Sequence, residues 1–128
     1  MITDVYGGLS YTEHLSLFTE KVLRLLEVNG DFYSLLMSVH LEHAKDRPKV
    51  WYLTEISDAA GRDVKVCSWL RSISCVKVSC ESKNSPEWEA QTELIHVRKV
   101  CNKIAVPAVE LVSYEAGNPP GRKFRLKQ

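Results

Sequence analysis

Apolar residues recur every three or four positions through Leu15, Phe18, Val22, Leu25 and Leu26, and then every second position from Tyr33 to Leu41. This change of period is the strongest constraint on the fold. The first spacing puts one stripe on a helix, and the second puts one set of side chains on one face of a strand. Ser10-Tyr11-Thr12-Glu13 has the form of a capping box. Asn29-Gly30 offers the left-handed residue at which helices stop. The spacing therefore predicts a helix over 11–28. It next predicts a half-buried strand in which Tyr33, Leu35, Met37, Val39 and Leu41 share a face, with Leu36 as the exception to the alternation.

Further strands are predicted at Val50–Ile56, Val64–Trp69, Ile73–Cys80 and Val109–Tyr114, with turns at 45–48 and 58–61. The stretch from Pro86 to Lys103 fits two readings. Trp88, Ala90, Thr92 and Leu94 alternate with polar residues, which favours a strand with a bulge near Leu94-Ile95. Ala90, Leu94, Val97, Cys101 and Ile104 also share a helical face, so a second helix near 87–102 is the alternative. The short links favour antiparallel neighbours. The expected class is α+β: an N-terminal helix packed on an antiparallel sheet of five or six strands. Residues 1–117 would form one domain, and 118–128 an exposed basic tail.

Composition narrows the setting. At 128 residues, with 45% hydrophobic and 26% charged residues, the chain has the size and balance of one globular domain. A net charge of +1 excludes both a polycation and an acidic mimic of nucleic acid. There is no leader-like N-terminus, no stretch near the roughly 20 apolar residues of a membrane span, and no lipidation signal. The expected location is the cytoplasm, without membrane association, where Cys67, Cys75, Cys80 and Cys101 would be reduced.

Two sets of residues are candidates for function. Cys75, Cys80, His96 and Cys101 supply three thiolates and an imidazole, the donor set of one structural zinc ion. Cys75 and Cys80 are five apart, so on a straight strand they point to opposite faces, and convergence needs a bulge or turn. Cys67 and Cys75 across a hairpin, or four cysteines acting as small buried hydrophobes, are the competing readings. The second set is basic. Residues 98–128 hold seven Lys and Arg against Glu110 and Glu115, which leaves the first 97 residues net acidic. Arg122, Lys123, Arg125 and Lys127 could contact phosphates while Phe124 stacks a base. The same alternation also suits an edge strand that packs Phe124 and Leu126.

Other features weigh less. His40 and His43 fall on opposite faces of a strand, and His14 lies on the first helix. Asp58 and Asp63 flank a turn. Trp51, Trp69 and Trp88 fit sheet packing or, if exposed, a protein contact. There is no phosphate loop, nucleophile elbow or zinc-protease motif, which points away from an enzyme.

The Cys75, Cys80, His96, Cys101 set and the ending Val106–Tyr114 followed by Gly121-Arg-Lys-Phe-Arg resemble the first-open-reading-frame proteins of sobemoviruses. This chain departs from that pattern by lacking Cys-x-x-Cys. The resemblance implies a viral suppressor of RNA silencing in the host cell cytoplasm, bound to RNA or to a host defence protein. The alternative is a protein-binding antagonist, of the phage anti-defence or toxin-immunity kind, that acts through a sheet face bearing Trp51 and Trp69 without nucleic acid. A homodimer paired along Tyr33–Leu41 is a further expectation.

Overall fold

The computed structural model describes residues 1–5, 7–44, 47–85, 90–116 and 120–127. In chain order the elements are β1 (Ile2–Val5), α1 (Gly8–Tyr11), α2 (Leu15–Leu25), β2 (Asp31–Ala44), β3 (Arg47–Tyr52), β4 (Thr54–Ser57), β5 (Asp63–Val64), α3 (Val66–Arg71), β6 (Val76–Ser85), β7 (Ala90–Lys99), β8 (Val109–Glu115) and β9 (Gly121–Leu126). The fold is α+β, as expected, but it is dominated by strands in two mixed sheets with three short helices, not one helix on one antiparallel sheet.

The first sheet runs β1-β2-β7-β6. One edge of β2 is occupied by β7, and the other is shared, with β1 parallel to residues 32–35 and β3 antiparallel to residues 39–44. Tyr33–Leu41 is thus interior to the sheet, and the expected self-pairing along it has no free edge to use. The second sheet runs β5-β4-β9-β8, with β4 and β9 parallel. Both parallel pairs join segments far apart in sequence. The β1–β2 connection passes through α1 and α2, the length of crossover that a parallel pair requires.

The helix expected over 11–28 is shorter, covering only Leu15–Leu25 as α2, and a separate one-turn helix, α1, precedes it. Thr12 is extended (φ −65°, ψ 140°), and α2 starts after His14. Ser10, expected as a cap, lies inside α1 and is fully buried. The cap comes instead from Asp4, whose carboxylate accepts from the Gly8 amide at 2.7 Å, the Leu9 amide at 3.2 Å and the Ser34 hydroxyl at 2.9 Å. Gly8 is needed for close approach, because a Cβ there would sit 2.0 Å from the Phe18 ring. Asn29 takes the left-handed conformation expected after the helix (φ 70°).

Two further expectations change. Val64–Trp69 is not a strand: β5 stops at Val64 and α3 follows, burying Val66, Cys67, Trp69 and Leu70 at helical spacing. β7 is a strand, so the helix near 87–102 does not form. The irregularity lies opposite it, where Ser38 is an extra residue between Met37 and Val39 of β2.

One core joins everything. Leu9 of α1, Leu15, Val22 and Leu23 of α2, and Trp69 and Leu70 of α3 pack with Phe32, Leu36, Ile95 and Val97 of the first sheet and Ile56, Val109 and Phe124 of the second. Each fully buried side chain of this kind contributes about 1.5–3 kcal/mol. Trp69 also donates its indole N–H to the Pro107 carbonyl at 3.0 Å.

Candidate docking face

The cysteines are paired, and this overturns the zinc expectation. Cys67 bonds Cys80, and Cys75 bonds Cys101, with Cα separations of 6.4 and 5.0 Å. Both fall in the range a disulfide spans. Among the described residues no group of His, Cys, Asp and Glu is placed to hold a metal. The physical reason is strand parity. Cys80 shares a face with Val76 and Val78, which pack toward the core where α3 carries Cys67. Cys75 and Cys101 flank the β6–β7 pair, and the Val100 amide donates to the Cys75 carbonyl at 2.8 Å. Cys75 lies before β6 in a left-handed conformation (φ 62°) and meets Cys101, while Cys80 within β6 meets Cys67 of α3. His96 lies on the far side of the sheet from Cys80.

The basic set is divided by the same rule. Residues 121–126 form β9, between β4 and β8, and are no appendage. Arg122 and Phe124 point inward, with 0% and 1% of their surface exposed, so Phe124 cannot stack a base. The Arg122 guanidinium donates to the Leu9 carbonyl at 2.8 Å, to the Thr12 carbonyl and to the Thr54 hydroxyl. It therefore ties the C-terminal end of α1 to β4 and β9. Burial pulls its pKa down to about 10, only partly offset by Tyr114. Lys99 does similar work in the first sheet: it is buried and donates to the Leu26 carbonyl, the C-cap of α2, at 2.7 Å. Lys123, Arg125 and Lys127 are exposed. Acids share the outer face of this sheet, with Glu55 paired to Lys123 at 3.6 Å, Glu110 opposite Arg125, and Asp63 opposite Ser57. Glu55, Asp63, Lys123 and Arg125 line a cavity of about 580 Å³ there.

The outer face of the first sheet is different. Phe32, Ser34 and Leu36 are buried, so Tyr33, Leu35 and Met37 face away from the core. The face expected to be buried is the outward one. Leu94 and His96 lie beside Leu35 and Tyr33 on β7, and Val5 continues the row on β1 with 63% of its surface exposed. All three helices and the second sheet contribute to the core on the opposite side. The result is an apolar and aromatic band in which Tyr33, Leu35, Met37 and Leu94 are half-buried and Val5 is exposed, with no helix packed on it among the described residues.

Polar groups order one end of this band. The His96 ring stacks on Tyr33, with centroids 4.5 Å apart and planes 7° from parallel. Its Nε2 lies 2.8 Å from Asp31 Oδ1, which also accepts from Arg98 Nε at 3.0 Å. The Arg98 guanidinium first, and His96 second, hold the Asp31 carboxyl below the usual carboxylate range. Tyr33, Ser79, Cys80, Glu81, Leu94 and His96 line a cavity of about 280 Å³.

Ser79 sits opposite His96 in the register and His96 opposite Tyr33, with Asp31 two residues along β2, so a Ser, a His and an Asp from three strands lie near one another. The imidazole leans toward Tyr33 and Asp31, on the side away from Ser79, and no hydrogen bond joins Ser79 to it. Backbone amides of β7 point along the sheet into the ladders with β2 and β6, so they do not converge above the face as oxyanion donors.

The remaining candidates divide. Trp69 is core. Asp58 shapes its turn, accepting from the Ala60 and Arg62 amides and the Arg62 side chain. His14 is exposed at the N-cap of α2. The side chains of His40, His43 and Trp51, and the whole of Trp88, lie outside the described residues. Leu36 was the one signal of the outward band: with Phe32 it makes a competing apolar parity. Among the described residues no helix is long and apolar enough to cross a membrane. No known protein family, curated protein or solved structure matches the chain.

Proposed function

We propose that the chain is a disulfide-stapled binding module that docks a protein partner on the outer face of its first sheet. The observation that carries this reading is the outward band of Tyr33, Leu35, Met37, Leu94 and Val5. An apolar, aromatic centre bordered by ordered polar groups has the anatomy of a protein interface. Asp31, Arg98 and His96 supply that border on one side, and Lys77 and Glu81 supply charges of both signs on β6. The matching partner surface has an apolar centre and a mixed-charge rim. A host defence protein meets this description, as does the target of an antagonist. RNA fits less well, because the exposed cations of β9 share their face with Glu55, Glu110 and Asp63. Two disulfides favour an oxidising compartment over the cytoplasm expected from the sequence.

The test is a quantitative, nuclease-treated pull-down from source extract with three forms of the protein. Leu94→Lys should lose a partner that the wild type retains in stoichiometric amount, with an affinity drop of about 30-fold or more if Leu94 lies at the centre. Lys123→Glu/Arg125→Glu should retain it. Recovery of RNA that survives Leu94→Lys and vanishes with the β9 double variant contradicts the reading.

A further inference from the structure

β6 is the outermost strand of the first sheet, and its second edge is unpaired along Val76–Ser85 among the described residues. A strand of this length presents alternate N–H and C=O groups to any strand that can align with it. Its outer-face residues are Lys77, Ser79, Glu81 and Lys83, all exposed. Neither Lys77 nor Glu81 is ion-paired within the chain among the described residues. The two charges are opposite in sign and lie at equal distances on either side of Ser79.

We propose that a second copy of this chain adds to the free edge of β6, antiparallel and centred on Ser79, so that Lys77 of each copy faces Glu81 of the other. The two-fold arrangement follows from the sequence of the edge. A strand paired antiparallel with itself about one residue brings together positions equidistant from it, here 77 with 81 and 78 with 80. Both new cross-strand charge pairs are attractive and both lie on the same face. Such pairs bias register as well as adding affinity. The two five-stranded sheets would become one, and the outer bands of the two copies would lie on one continuous surface. This inference concerns the edge of the sheet and does not depend on the docking reading of its face.

Sedimentation equilibrium on the disulfide-intact chain tests it. The wild type should be a dimer. Lys77→Glu alone sets glutamate against glutamate twice, and Glu81→Lys alone sets lysine against lysine twice. Each should raise the dissociation constant about tenfold or more, with an unchanged circular dichroism spectrum because both side chains are exposed. An equimolar mixture of the two variants should recover the dimer as a heterodimer, since each copy then offers the charge that the other lacks. Native mass spectrometry identifies that species. Leu94→Lys should leave the dimer intact, which separates failure here from failure of the docking face. A monomeric wild type overturns the proposal. So does a dimer indifferent to the single variants, or a mixture that forms no heterodimer.

Discussion

The two sheets bury one face each and handle charge in opposite ways. The second sheet keeps its cations and acids together on the outer face, with Lys123 beside Glu55 and Arg125 beside Glu110, and places Arg122 inside. The first sheet turns Tyr33, Leu35, Met37 and Leu94 outward and keeps its charge to the borders of that band, with Asp31, His96 and Arg98 at one end and Lys77, Glu81 and Lys83 along β6. A mixed-charge face is content in water. The second sheet has an exposed Val112 beside its charges, whereas the apolar residues of the first sheet form a band, and the docking proposal rests on that difference. Two of the seven cations of residues 98–128 also belong to the architecture and not to the surface: Arg122 and Lys99 are buried, and each holds a helix end.

The largest expected effect would break this comparison at Arg122. Arg122→Ala leaves the Leu9 and Thr12 carbonyls and the Thr54 hydroxyl without their donor, and should lower unfolding free energy by about 3–5 kcal/mol. Lys123→Ala, one residue along, should stay within about 0.5 kcal/mol. Urea denaturation of the two variants checks the contrast. Equal effects would mean that Arg122 is not structural.

Next come the staples. Replacing both cysteines of either disulfide by alanine should cost about 2–5 kcal/mol. The loop closed by Cys75–Cys101 spans 26 residues against 13 for Cys67–Cys80. Loop-closure entropy makes the longer one worth about 0.6 kcal/mol more. Thermal melts of the two double variants measure the difference, and non-reducing peptide mapping verifies the pairing.

A smaller effect sharpens the contrast within a single strand. Lys99 and its neighbour Arg98 point to opposite faces of β7. Lys99→Met should lower stability by about 1.5–3 kcal/mol by leaving the Leu26 carbonyl unpaired. Arg98→Met should leave the fold intact and alter only the setting of Asp31. The last effect is one of pH. Because the Asp31 carboxyl titrates lower in the folded chain than in the unfolded one, its contribution to stability is present at neutral pH and fades as acid protonates it. The stability difference between the wild type and Asp31→Asn should therefore shrink as pH falls below about 4, as read from urea midpoints across an acid series.

Much of the framework was legible in the sequence, and the errors share a cause. The α+β class, the strands at 33–41 and 109–114, and the strand reading of β7 follow from periodicity. Periodicity gives a period without saying which face turns inward, and in β2 the less apolar-looking set, Phe32, Ser34 and Leu36, took the core. The end of α1 at Thr12 was illegible because the guanidinium that binds its Leu9 and Thr12 carbonyls, Arg122, comes from far along the chain. The zinc expectation treated Cys75, Cys80 and Cys101 as one cluster. Cys75 instead lies outside β6 with a positive φ, and Cys67 sits on a helix where the sequence pattern predicts a strand. The alternation of 122–126 suits a packed strand as well as the phosphate-contacting tail expected from it, and its place between two other strands depends on contacts across the whole chain.

The most direct test of the docking account is hydroxyl-radical footprinting of the captured complex against the free chain. Tyr33, Met37 and Leu94 should lose reactivity in the complex, while Tyr114, half-exposed on β8 of the second sheet, should label equally in both. Protection of Tyr114 with Tyr33 and Met37 unchanged would place the contact on the wrong sheet and contradict the account.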